Sequence, residues 1–198
     1  MTFILGVTGG IATGKSTAIQ RFREYGFPII DADQVAREVV EPNTIGLKKI
    51  VAEFGRSILL DSGTLNRKKL GKIVFSDPKK REKLDQLLDK EIRTNITQKI
   101  KAFEENFTLI VVDIPLLYEA DYTGFFDQIA VVYLPQKIQK NRLKKRDRLT
   151  DQEADQRLKS QFSIEEKKKS ADIVFDNQDN VKNLYQQIDR WLKKMEFI

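Results

Sequence analysis

Gly9-Gly10-Ile11-Ala12-Thr13-Gly14-Lys15-Ser16 reads G-x-x-x-x-G-K-S, and its flanks dictate how the stretch folds. Phe3-Ile4-Leu5-Gly6-Val7, just ahead, is an apolar run of buried-strand length. Thr17 to Tyr25, just behind, carries Ala18, Ile19 and Phe22 at helical spacing. Strand, glycine loop, helix is the context that makes this pattern a phosphate-binding P-loop. Glycine lets the backbone close around an anion where a Cβ would clash or forbid the dihedrals. The loop N–H groups and the positive end of the next helix then converge on phosphate. The expected nucleotide-binding residues are Gly10, Ile11, Ala12, Thr13, Gly14, Lys15, Ser16 and Thr17. Lys15 suits neutralisation of β- and γ-phosphate charge, and the Ser16 hydroxyl suits Mg²⁺. A nucleoside triphosphate is the expected ligand. What becomes of its γ-phosphate has to be read elsewhere in the chain.

Further apolar runs follow. Pro28-Ile29-Ile30 ends in Asp31-Ala32-Asp33, Leu109-Ile110-Val111-Val112 ends in Asp113, Ile129 to Leu134 is another, and Ile173-Val174-Phe175 precedes Asp176-Asn177. Near-continuous, β-branched runs are expected of parallel strands covered on both faces. Helical stretches separate them, which predicts an α/β P-loop fold: a three-layer sandwich around a parallel sheet. Ligands of open α/β sheets sit beyond the carboxyl ends of the strands, so Asp31 and Asp33 are expected near the triphosphate. Residues 34–108 exceed a simple crossover. Leu84, Leu87, Leu88 and Ile92, then Ile96, Ile100 and Phe103, recur there at helical spacing. An inserted helical subdomain would give a kinase somewhere to hold its second substrate; the other reading is a cover for one sheet face. Thr150-Asp151-Gln152-Glu153 is a capping box that starts a helix. Two helices joined by Arg148-Leu149-Thr150 resemble a lid. Val181, Leu184, Ile188, Trp191 and Leu192 mark a C-terminal packing helix. The expected layout is one domain with a core at about 1–40, 108–136 and 171–198, an insert at about 43–107 and a lid at about 137–170.

The chain contains no histidine and no cysteine. That excludes imidazole acid–base chemistry, thiol nucleophiles and a disulfide framework. A general base must then be a carboxylate, Lys or Tyr, with Asp or Glu first. Asp33, just past a strand end, is the candidate base, and Asp31 the alternative with a supporting or metal-linked role. Spacing alone equally allows Asp33 to be a helix N-cap ahead of Gln34-Val35-Ala36-Arg37. Asp113 reads as a strand-end carboxylate for Mg²⁺, often through water, or as an ordinary turn residue. The formal charge of +6 suggests an anionic partner, a polyphosphate or a nucleic acid. Lys137, Lys140, Arg142, Lys144, Lys145, Arg146 and Arg148 crowd one segment. Lysines there read as a solvated helix face. Arg142 and Arg146 lie about one turn apart on a shared face, as forks matched to phosphate oxygens.

These motifs together resemble the dephospho-CoA kinase family. Gly6-Val7-Thr8-Gly9-Gly10-Ile11-Ala12-Thr13-Gly14-Lys15-Ser16 matches its opening G-x-T-G-G-I-x-x-G-K-S. Ile30-Asp31-Ala32-Asp33 matches I-D-A-D, and Ala36-Arg37-Glu38-Val39-Val40-Glu41-Pro42 matches A-R-x-V-V-x-P. Pro115-Leu116-Leu117-Tyr118-Glu119 matches P-L-L-x-E, and Arg142 to Asp147 matches the lid's R-x-x-x-R-D. The resemblance implies transfer of the γ-phosphate of ATP to the ribose 3′-hydroxyl of dephospho-CoA. It implies Asp33 as base, Lys15 and Arg142 as catalytic cations and Arg146 as a nucleotide-binding lid residue. It further implies a CoA site in the inserted helices. The other expectations are Mg²⁺ on Ser16, with Asp31 or Asp113 through water, and a cytoplasmic monomer or weak homo-oligomer without nucleic-acid or membrane partners. The resemblance breaks after Leu87-Leu88, where the family usually has His-Pro and this chain has Asp89-Lys90. Another P-loop kinase is the alternative enzyme. A GTPase switch would need N-K-x-D, which is absent. A nucleic-acid-binding ATPase would show steeply salt-dependent oligonucleotide affinity.

Overall fold

Each apolar run becomes a strand: β1 (Phe3–Gly9), β2 (Ile29–Asp31), β3 (Leu109–Asp113), β4 (Gln128–Tyr133) and β5 (Ile173–Asp176). The computed structural model describes residues 2–198. The strands form one sheet in the order β2-β3-β1-β4-β5, with every pairing parallel. β3 is buried along its whole length, which is why its sequence is apolar without alternation. The helices are α1 (Lys15–Glu24), α2 (Ala32–Glu38), α3 (Ile45–Phe54), α4 (Arg67–Phe75), α5 (Pro78–Phe103), α6 (Gln136–Asp147), α7 (Asp151–Lys159), α8 (Ile164–Lys169) and α9 (Val181–Lys194). Among the described residues no helix is long and apolar enough to cross a membrane.

The chain divides into two compact units, one of residues up to Asp31 with Phe103–Ile198, the other of Ala32–Ala102. In the first, alternate strand residues Leu5, Val7, Leu109, Val111, Ala130 and Val132 meet Ala18, Phe22, Leu184 and Ile188 of α1 and α9. Trp191 completes this face against Phe3, Phe22, Phe175 and Phe197, with ring centroids 6.2, 6.3, 6.4 and 5.6 Å away. Arg21 joins α1 to α9 through both carboxylate oxygens of Asp189, at 2.8 Å each. On the opposite face Val131 and Tyr133 pack against Ile164 of α8. Both α7 and α8 open with capping boxes, Thr150 with Glu153 and Ser163 with Glu166. Leu143, Ala154 and Leu158 of α6 and α7 form a third cluster, and P-loop residues Ile11 and Ala12 pack onto it.

The second unit is helical. Leu47, Ile50, Ile58, Leu70, Val74 and Ile96 are buried in it. Thr44 caps α3 through Leu47 N at 3.2 Å, and Asn66 caps α4 through Lys69 N at 3.0 Å. α5 runs unbroken through the Asp89-Lys90 position, where Asp89 accepts Arg93 Nε on both oxygens at 2.8 Å. The predicted apolar spacing of α5 is present, but Ile96 alone is fully buried; the others are half-buried.

Candidate active site

The sheet order reverses around β1, so a crevice for ligand opens at its carboxyl end, where the P-loop begins. The loop is shaped by its own backbone. Thr13 is buried, and both its N–H and its hydroxyl donate to Gly10 O, at 3.2 and 2.9 Å. Gly14 sits at φ +92°, where a side chain is strained, and α1 starts at Lys15. The Thr17 and Ala18 N–H groups return to Gly14 O at 3.0 and 3.3 Å. That geometry aims the start of α1 at the crevice and leaves Ser16 exposed there.

Three side chains from later in the chain surround the loop, two of them hydrogen-bonded to it. Asn177, just past β5, donates its amide to Thr13 O at 2.7 Å, and its own backbone N–H bonds Tyr133 O at 2.9 Å. Gln139 of α6 is buried, donates to Leu134 O at 2.6 Å, and lies so close that a Cβ on Gly10 would stand 2.9 Å from its Oε1. Gln161, between α7 and α8, accepts the Ile11 N–H at 3.0 Å. Sequence reading missed all three. Asn177 had a signal, a polar residue directly after a strand end; the glutamines had none.

Lys15 is ion-paired with Asp113 at the end of β3. In the sheet register Asp113 is partnered by Val7 on one side and Asp31 on the other. Neighbours across parallel strands share a face, so Lys15, Asp113 and Asp31 come together at one strand-end edge. Arg142 connects to the P-loop through Asn177, whose carbonyl accepts its guanidinium at 3.2 Å and whose amide holds Thr13 O. Arg146 does not: it is exposed and bonds Asp147 at 2.8 Å, and Arg157 bonds the same carboxylate at 2.6 Å. The hydrogen bond from Arg146 holds the Asp147 carboxyl below the usual carboxylate range, with Arg157 adding to it. Asp33 is exposed in the first turn of α2, inside the helix rather than ahead of it, so it does not stand at the N-cap position its spacing allowed.

The donors at the strand ends fit Mg²⁺. They are hard oxygens: the Ser16 hydroxyl and the carboxylates of Asp31 and Asp113. No group of three or more acidic residues among the described residues could hold a metal. Mg²⁺ ordinarily takes one or two carboxylates and completes its shell with water and substrate phosphates.

The dephospho-CoA kinase family model matches residues 3–183, covering the loop, the strand-end acids and the arginine helix. The chain belongs to the dephospho-CoA kinase family. It is 50% identical over 194 residues to the dephospho-CoA kinase of Enterococcus faecalis, covering 98% of each chain. The structure resembles the dephospho-CoA kinase from Campylobacter jejuni, with a TM-score of 0.77, 30% identity and 98% of each chain covered. It also resembles a crystal structure from Thermus thermophilus, with a TM-score of 0.82 at 26% identity and 98% of each chain covered. In this family member the P-L-L-x-E segment buries Leu117 and turns Glu119 toward α8, where it pairs with Lys167 at 2.8 Å.

Proposed function

We propose that this chain transfers the γ-phosphate of ATP to the ribose 3′-hydroxyl of dephospho-CoA, giving CoA and ADP. One observation carries the reading: a shaped P-loop with Lys15 set against Asp113, in a chain that shares half its residues with a dephospho-CoA kinase along nearly its whole length. In the step, the 3′-oxygen forms a bond to the γ-phosphorus and the bond from that phosphorus to the β–γ bridging oxygen breaks. The 3′-hydroxyl proton passes to Asp33, and ADP leaves. Loop N–H groups and Lys15 hold the phosphates and offset the charge that develops on them. Arg142 adds a fork on the same side, and Arg146 joins on leaving Asp147. Mg²⁺, on Ser16 with Asp31 or Asp113, would supply further charge neutralisation across the phosphates. The helical unit holds dephospho-CoA. The reading includes a cytoplasmic location, a monomer or weak homo-oligomer, and no nucleic-acid partner.

The test is turnover of ATP and dephospho-CoA, followed by the mass of the product, for the wild type and Asp33→Asn. Loss of a general base lowers kcat by roughly 10²–10⁴-fold. Unchanged kcat in Asp33→Asn would remove Asp33 from that role, and a melting-temperature loss without a kcat loss would make it structural.

A further inference from the structure

Lys167 stands in a Lys-rich stretch, yet its side chain is fully buried. Its ammonium pairs with Glu119 at 2.8 Å and donates to Pro115 O at 3.0 Å. The Thr8 hydroxyl donates to the same carbonyl at 3.1 Å. Pro115 follows Asp113 by two residues and Thr8 precedes the P-loop, so this carbonyl ties β1 to the segment carrying the acid that pairs with Lys15. Glu119 Oε1 has a second donor, the Phe162 N–H at 2.9 Å. The neighbouring Gln161 is the residue that takes the P-loop's Ile11 N–H. A chain of contacts therefore runs from Asp113's segment through Glu119 to the α7–α8 junction and back to the loop.

The pair is not arranged for stability alone. Burial pulls the Lys167 ammonium below the ordinary lysine value, against the pull of Glu119, and nearby Lys15 lowers it further. Among the described residues Glu119 Oε2 is buried with no hydrogen-bond partner. A buried pair with an unsatisfied oxygen is a weak stabiliser relative to apolar groups of the same size. What it does is fix geometry. Resting on the function proposed above, we propose that Lys167 and Glu119 are positioning residues for phosphoryl transfer. Together they latch the Asp113–Pro115 backbone and the α7–α8 junction to the P-loop, so that Lys15 and the loop N–H groups meet the nucleotide in register.

The experiment uses the full chain and two variants: Lys167→Met/Glu119→Gln, which removes both charges at similar volume, and Gln161→Ala, which cuts the loop end of the latch. Melting temperature, ADP affinity by calorimetry, and kcat and KM for each substrate are measured. The double variant should melt near the wild type, because removing both charges of a buried pair at similar volume removes their desolvation cost along with their attraction, and the carbonyl of the new amide can still accept the Phe162 N–H. Its kcat/KM for ATP should fall about 10–100-fold, the scale of a slight misplacement of reacting groups, with KM for dephospho-CoA unchanged. ADP should bind about 10-fold more weakly, and Gln161→Ala should weaken ADP about 5-fold, the scale of one hydrogen bond. Wild-type ADP affinity and kcat/KM in the double variant would overturn the latch. So would an equal loss for both substrates together with a lowered melting temperature, which is general loosening. If the double variant does not fold, unchanged ADP affinity in Gln161→Ala overturns it. ADP affinity is independent of the acceptor: weakened ADP binding in the variants of a chain that never phosphorylates dephospho-CoA would sustain the latch and sink the proposed reaction.

Discussion

Adding one methyl group at Gly14 separates the two reasons that position is glycine. The first is backbone: φ is +92° and ψ 22°, a left-handed conformation that costs an L-residue about 1–2 kcal/mol. The second is contact. The new Cβ would run into the Asn177 side-chain nitrogen, which donates to the buried Thr13 carbonyl at 2.7 Å. Displacing that amide leaves a buried acceptor without its donor, about 1–3 kcal/mol. Gly14→Ala should therefore cost about 2–5 kcal/mol in total. In an Asn177→Ala background the contact is already gone, so only the backbone cost of about 1–2 kcal/mol remains. Urea unfolding of the four members of this double-mutant cycle should show a coupling of about 1–3 kcal/mol, with the slope m unchanged. Strict additivity of the two substitutions would refute the contact. A total cost below about 0.5 kcal/mol would refute the backbone strain as well.

Trp191→Ala should cost about 3–5 kcal/mol, because its indole is packed among Phe3, Phe22, Phe175 and Phe197. At about 2–4 °C per kcal/mol for a chain of this size, the melting temperature should drop by at least roughly 6 °C, and a drop under roughly 2 °C would contradict that packing. The pH dependence follows from which groups the fold holds away from their ordinary values. The hydrogen bond from Arg21 lowers Asp189, and capping contacts from Thr150 and Ser163 lower Glu153 and Glu166. Folded values lie below unfolded ones, so this stability is complete above the ordinary 3.8–4.5 and is lost as pH falls through the lowered values. Tyr133, bonded to Glu165 and buried, and Tyr118, by burial, are pushed up to about 12 from 10.0, so their contribution is complete below pH 10 and lost toward 12. With no histidine in the chain, the melting temperature should be flat between about pH 6 and 8, and a step near 6.5 would contradict this.

The sheet was legible because buried parallel strands carry no polar alternation: Leu109–Val112 and Ile129–Leu134 advertise themselves. The P-loop was legible because its chemistry demands glycines and a lysine at fixed spacing with a strand and helix on either side. The Thr150 capping box was legible for the same local reason, and Ser163 with Glu166 carried the same signature unread. What escaped depends on contacts distant in sequence. Asn177 reaches Thr13 across 164 positions, and Gln161 reaches Ile11 across 150. Lys167 sits among Glu165, Glu166, Lys168 and Lys169, a run of charges with no apolar residue in it. Only its spacing of three from buried Ile164 puts it on the inner side of α8, and it is stable there because Glu119 meets it. Arg142 and Arg146 share a helical face, yet the structure separates them, since neighbouring Asp147 captures the second. Asp33 falls inside α2 because the helix begins directly at the end of β2, a boundary that spacing does not reveal.

The central claim, that this P-loop hands its phosphate to dephospho-CoA, is tested most directly by comparing acceptors. ADP release from ATP is followed with dephospho-CoA, nucleoside monophosphates and shikimate in parallel. Turnover is expected with dephospho-CoA, with CoA formed in step with ADP, and none with the others. Comparable kcat/KM on a nucleoside monophosphate or on shikimate would contradict it.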